Sequence, residues 1–209
     1  MEYGVHAWEL ISEIFKNSEM LATYNLNPIL KRAIKLIDNL PKETQKKTIL
    51  LSFLNNFIDI NGIPRRENQN LIQCEITSQA RKNMEHLFTD DQGLNDLHLY
   101  LLEMKNQYQE FMADERFLPE IQIPPELSYT IEYIKLLGHN GEGKNSLTEG
   151  IASDRLGLDD LIENLRMADF CYPLKSSLVY FMDTIYFDIE KEVTDDNIAK
   201  MNMVIDIIY

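Results

Sequence analysis

The sequence predicts an all-α protein, built as an α-solenoid of stacked helix pairs. Three observations carry that prediction. Apolar residues recur at spacings of three and four along most of the 209 residues, the period of a helix with one buried face. Pro41, Gly62, Pro64 and Pro173 fall at the joints between such stretches, where helices end or begin. A short helix, a proline corner and a longer helix occur twice, in residues 28–60 and again in residues 158–190. Such pairs bury their apolar faces by stacking on their neighbours. An irregular helical bundle fits the same pattern.

The elements follow in order. "AWELISEIFKNSEML" is helical by period, and the acidic, polar-broken N-terminus around it does not have the form of a signal peptide. In "LNPILKRAIKLIDNL", Asn27 is a favourable N-cap and Pro28 takes the first helical position, where its missing N–H costs nothing. Leu30, Ala33, Ile34 and Ile37 line one face, and Pro41 ends the helix. "TQKKTILLSFLNNFIDING" then carries Ile49, Leu50, Phe53, Leu54, Phe57 and Ile58 as a stripe, with Asn61-Gly62 in the usual C-terminal position. Leu94, Leu97, Leu101, Met104, Tyr108 and Phe111 form a heptad-like seam shorter than three heptads, which suits a long helix packed within the domain.

Residues 118–127, "LPEIQIPPEL", are an extended, proline-stiffened connection between N-terminal repeats (1–117) and C-terminal repeats (128–209) of one continuous solenoid. Beyond it, Tyr129, Tyr133, Leu136 and Leu137 read as a helix face. Gly157 opens the next helix with Asp159 and Asp160 in its dipole-favoured first turn, and the chain bends near Pro173. Leu174, Leu178, Phe181, Met182, Ile185 and Ile189 mark the longer partner helix. Thr194 caps a last helix that is apolar towards Tyr209.

Charge and composition narrow the function. The net charge is −14, yet residues 28–82 carry ten basic and five acidic side chains. A field of that overall sign opposes nucleic acid and anionic lipid, and the basic third reads as a solvated face balancing the acidic remainder. No apolar run reaches the ~18 residues of a membrane helix. Two cysteines, Cys74 and Cys171, without CxxC spacing suit a reducing compartment, and the chain is expected in the cytoplasm.

Motifs for chemistry are sparse. "GHNGEGKN", Gly138 to Asn145, comes within one residue of a phosphate loop, but Asn145 stands where a hydroxyl would hold magnesium. Ser146 and Glu149 instead suggest a capping box. His6, His86, His98 and His139 have no metal-ligand spacing, and no nucleophile motif is present. We therefore expect no catalysis, cofactor or metal. The one candidate contact for an anion or a partner is the pair Arg65 and Arg66, beside a helix N-terminus in "NGIPRRENQNLI".

That stretch also carries a resemblance. A long apolar helix, a glycine corner, and an Asn-Gln pair followed by Leu-Ile resemble the RIH domain of inositol trisphosphate receptors and ryanodine receptors. "NPILKRAIKLIDNL" precedes the corner as a helix does in that family. The segment 158–190 is similar to another family segment through Leu158, Asp159, Leu161, Ile162, Asp169, Pro173 and Leu174. "AWELISEIFKNSEML" is similar to the helix that comes earlier still. The resemblance implies an armadillo-like, non-catalytic module on the cytosolic face of a calcium store. Such a module relays ligand binding or subunit contacts to a pore that lies outside this chain. Its implied partners are other channel domains or subunits. Inositol phosphate is a ligand in the family, and none of the family's ligand positions matches a residue here. Two other classes remain: a generic helical scaffold that binds a protein partner, and a nucleotide-binding protein built on Gly138–Asn145.

Overall fold

The first two helices meet through the residues their periodicity selects. The structure, a computed structural model, describes residues 8, 10, 13–14, 26–41, 45–60, 62–78, 87–112, 123–168, 171–187 and 195–208. Helix α1 (Asn27–Asn39) buries Leu30, Ala33, Ile34 and Ile37 completely. Its cap is Leu26, so Asn27 is already helical and Pro28 stands one position further in, still within the turn that has no N–H acceptor. Helix α2 (Gln45–Asn55) packs on α1 and buries Leu50, Leu51, Phe53 and Leu54. Trp8 meets Phe53 edge-on at 4.8 Å, a favourable aromatic geometry.

The corner after α2 differs from the expected helix cap. The helix stops at Asn55, and the chain forms a minimal antiparallel hairpin, β1 (Asp59–Ile60) with β2 (Ile63–Pro64). Gly62 has φ +74°, a backbone region that suits glycine, and it serves the hairpin turn instead of a helix C-terminus. Phe57 and Ile58 remain buried in the approach to the hairpin. Helix α3 (Arg66–Ile76) starts directly afterwards and packs on α1.

Helix α4 (Asp91–Met112) buries Leu97, Leu101 and Met104 and packs on α7 (Leu158–Met167), while Leu94 is half-buried and Leu99 and Leu102 are exposed, so it lies at the edge of the described fold. The structure leaves the side chains of Tyr108 and Phe111 undescribed, along with residues Asn61, Asp169, Thr194, His6, His86 and 118–122.

Helix α5 (Pro125–Gly141) begins inside the stretch assigned as connection and becomes the centre of the molecule. Leu127, Tyr129, Ile131, Tyr133, Ile134, Leu136 and Leu137 are buried, and so are Thr130, Gly138, Asn140 and Gly141. A helix buried around most of its circumference needs neighbours on several sides. Here α2 lies against it on one side and α8 (Tyr172–Met182) on another, with α3 and α6 (Ser146–Arg155) also in contact. Two small residues permit the α8 approach. A Cβ on Gly138 would stand 3.1 Å from the Tyr180 ring, and one on Gly141 only 2.4 Å from Ile185 Cδ1.

Helices α7 and α8 form the second expected pair, with Gly157 capping α7 and Asp159 and Asp160 in its first turn. Pro173 sits in the first turn of α8 rather than in the bend itself, a position where its ring fits a helix. Helix α8 runs on into a π-helical turn, Asp183–Phe187, and α9 (Asp195–Ile208) packs against α7. The described residues thus form an all-helical fold with one two-residue hairpin.

Tyr186, in the π turn, donates to the Leu156 carbonyl at 2.9 Å and ties that turn to the end of α6. Burial first, then Asp160, Asp154 and Asp159, push its phenol up to about 12. A pKa above the unfolded value of about 10 means that this contribution to stability is whole below pH 10 and is lost as pH rises through about 12. We expect the melting temperature to fall across that window and to fall less steeply in Tyr186→Phe. Parallel slopes for the two proteins would exclude the assignment.

A buried amide latch as the candidate functional site

The amide run in "RENQNLIQ" meets the loop that resembles a phosphate binder. Gln69 is fully buried on α3, and its Nε2 donates to the Glu142 carbonyl at 2.9 Å and the His139 carbonyl at 3.4 Å. Its Oε1 accepts from Asn145 Nδ2 at 3.1 Å, and the same Asn145 amide reaches Asn70 Oδ1 at 2.9 Å. One turn on, Gln73 Oε1 accepts from Asn140 Nδ2 at 3.0 Å. The i, i+4 spacing puts both glutamines on one helix face, turned towards α5 and the loop after it. Thr148 closes the far side, its single hydroxyl proton shared between the Asn140 and Asn145 carbonyls at 2.5 and 2.9 Å. The hairpin is held by the same run, since Asn68 Nδ2 donates to the Phe57 carbonyl at 2.9 Å.

The bonds between the α3 amides and the α5–α6 corner join segments about seventy residues apart. Buried amides cost energy unless partnered, so each one accepts few alternative arrangements of its neighbours. The latch therefore fixes the angle between α3 and the α5–α6 corner. Arg155 adds a further tie across the same gap, from its guanidinium to the Thr77 carbonyl at 2.8 Å.

The loop itself has the wrong build for a nucleotide. It follows a helix rather than a strand, and the Asn145 side chain is spent on α3. Gly143 (φ +74°) and Lys144 (φ 60°) are both left-handed, and Gly143 lies against the Pro64 ring. Asn145 occupies the cap position of α6, so Ser146 is the first helical residue and the expected Ser146–Glu149 capping box is absent. Glu149 is buried.

A smaller cluster adjoins the latch on the α8 side. Tyr180 donates its hydroxyl to Glu142 Oε1, and the His139 ring meets the Tyr180 ring edge-on at 5.0 Å. His139 Nδ1 lies 3.1 Å from Asn55 Oδ1, which links α2 to the same corner. Burial, and then the bond to Glu142, holds the Tyr180 phenol well above its ordinary range, so it stays a donor.

Arg65 and Arg66 are both exposed at the start of α3. The Arg65 backbone N–H donates to the Ile58 carbonyl at 2.7 Å, and Arg66 Nη2 reaches the Gly143 carbonyl at 3.4 Å. The two guanidinium groups thus stand outside the latch, with one leaning on its loop. Elsewhere in the basic third, Lys31 pairs loosely with Glu75, but Lys47 is buried with its ammonium 4.9 Å from the Tyr129 ring centre. A solvated face accounts for Lys31 and leaves Lys47 as a core residue.

Of the latch residues, Gln69, Gln73 and Thr148 are not among the candidates the sequence suggested, and Asn140 and Asn145 entered only as part of the loop that resembles a phosphate binder. Their signal was the pair of glutamines four apart among apolar neighbours, which a purely polar helix opening does not require. Among the described residues no group of three His, Cys, Asp or Glu could hold a metal ion. Cys74 and Cys171 are free thiols. No helix among the described residues is long and apolar enough to cross a membrane.

Fold and site together define an all-helical protein whose α3 and α5–α6 corner are joined by buried amides. No protein-family model matches the chain.

Proposed function

We propose that the chain is a non-catalytic helical-repeat module of the RIH type, a piece of the cytosolic solenoid of an intracellular calcium-release channel. It carries ligand-induced or subunit-induced movement towards a pore. The observation that supports this most is the physical use of the residues that carry the resemblance. Asn68 and Gln69, the Asn-Gln pair of the corner, bind the hairpin and the α5–α6 loop respectively. In the second matching segment, Leu161, Ile162 and Leu174 are buried in the α7–α8 pair. Side chains used this way make a rigid joint, and a relay requires rigid joints between its parts.

The same reading arranges the helices as an armadillo-like solenoid. Helices α2, α5 and α8 form one layer, and α1, α3 and α6 form the other, in keeping with the contacts between successive members. The module faces the cytosol, and its partners are neighbouring channel domains or subunits. An antibody to this chain should detect a polypeptide far larger than 24.5 kDa that sediments with calcium-storing membranes. Recovery of a product of this size wholly from the soluble fraction would overturn the channel reading.

That outcome would favour the second reading, a free-standing scaffold for a protein partner, which is supported by an open crevice between α8 and α9 lined by Val179, Met182, Phe187 and Val204. A nucleotide-binding function predicts a gain in melting temperature of about 5 °C or more at ATP concentrations a hundredfold above Kd. We expect no gain with millimolar ATP and magnesium, because Asn145 is committed to Gln69 and Asn70.

A further inference from the structure

Helix α8, its π turn and α9 enclose an open trough of about 730 Å³. Its floor is apolar, with Val179, Met182 and Phe187 on one wall and Val204 and Ile205 on the other. Tyr172 at one end is 78% exposed, and Ile205 on the rim is 53% exposed. Ile198 and Met203 extend the exposed apolar surface along α9. Side chains of this kind at a helix–helix crevice are what an amphipathic partner helix covers.

Charge selects among such partners. The described residues of the trough and the helices around it, 158–168, 171–187 and 195–208, contain seven Asp and Glu against three Lys and Arg, a net of −4. Asp183 lines the trough, and Asp159, on α7, is exposed beside Lys200. That field repels anionic lipid, nucleic acid and acidic peptides and attracts cations. Lys175 is the one cation among the described lining residues, and it lies eight residues before Asp183 on the same helix. At 1.5 Å per residue the two are about 12 Å apart, so the trough has a defined electrostatic direction.

We infer that this trough is a docking site for a basic amphipathic helix of a protein partner, with its apolar stripe on Val179, Phe187 and Ile205 and its cationic flank towards Asp183. The inference does not depend on kinship with calcium-release channels. It gives the partner a chemistry that the fold alone leaves open.

The test uses the full chain and a fluorescent peptide of about five helical turns, built from leucine at i, i+3, i+4 and i+7 with lysine elsewhere. An otherwise identical peptide with glutamate for lysine is the control. The lysine peptide should bind, with its anisotropy signal weakening as salt is added, and the glutamate peptide should bind roughly a hundredfold more weakly. Ile205→Lys should reduce binding of the lysine peptide roughly tenfold or more. Because Ile205 is half exposed, the variant should keep the wild-type circular dichroism spectrum and melting temperature. Equal affinity for wild type and Ile205→Lys would overturn the inference by placing binding elsewhere on an acidic surface. Equal affinity for the two peptides would overturn the choice of a basic partner. Dimerisation of the wild type that Ile205→Lys abolishes would also overturn it, since the trough would then hold a second copy of this chain.

Discussion

Gln69→Leu is expected to lower the melting temperature by about 6–12 °C, which corresponds to a loss of about 3 kcal/mol in a domain of this size. Leucine nearly matches the volume but leaves the half-buried Glu142 carbonyl without its Gln69 donor and strips the buried Asn145 of one of its two acceptors. An unmet buried polar group costs roughly 1–3 kcal/mol, more than the net value of the bond it once made. The informative comparison is the double replacement Gln73→Leu with Asn140→Leu. Gln73 Nε2 and Asn140 Oδ1 have no hydrogen-bond partner, so removing both amides deletes one bond and two unmet atoms. That pair should change stability by no more than about 1 kcal/mol. Thermal melts of the three proteins would decide the matter, and a Gln69→Leu variant as stable as wild type would show that the latch does not hold α3 to the corner.

Gly143→Ala should cost about 3 kcal/mol, from two separable causes. A residue with a Cβ at φ +74° costs roughly 1–2 kcal/mol. The new Cβ would also stand 2.7 Å from Pro64 Cγ, and crowding of this kind adds roughly 1–3 kcal/mol. Gly62 separates the two. It has the same φ, but nothing lies within 4 Å of the place its Cβ would take. Gly62→Ala should therefore show only the backbone cost. The excess in Gly143→Ala should shrink when Pro64→Ala is added, as a double-mutant cycle would measure. If Gly62→Ala and Gly143→Ala lose equal stability, the hairpin does not press on the loop.

Both predictions concern contacts that the sequence only half announces. The two glutamines four apart put polar groups on an otherwise apolar helix face, which is a sign of buried partners. Nothing local says that those partners are the Glu142 carbonyl and Asn140, some seventy positions away. Asn61-Gly62 is equally instructive. The dipeptide is a strong hairpin signal, yet the apolar stripe that runs on through Phe57 and Ile58 favours reading it as the end of a long helix. The helix stops at Asn55, and the hairpin that follows brings Pro64 against Gly143, a contact between distant segments that no local pattern announces. Ser146 and Glu149 have capping-box spacing, but Asn145 takes the cap position and turns its amide to α3.

By itself the sequence determined that this protein is helical, where its α1–α2 and α7–α8 pairs lie, and most of the residues that turn inward, although on α2 it is Leu51 and Lys47 that are buried and Ile49 that is only half-buried. Those properties follow from periodicity, capping and proline placement, all of which act over a few residues. Only the tertiary structure decided that α5 is the common centre, that the loop resembling a phosphate binder is closed by amides from α3, and that an acidic, apolar-floored trough opens beside α8. Each of these depends on which distant surfaces meet, and burial energies that set such meetings are summed over the whole core rather than written in any one segment.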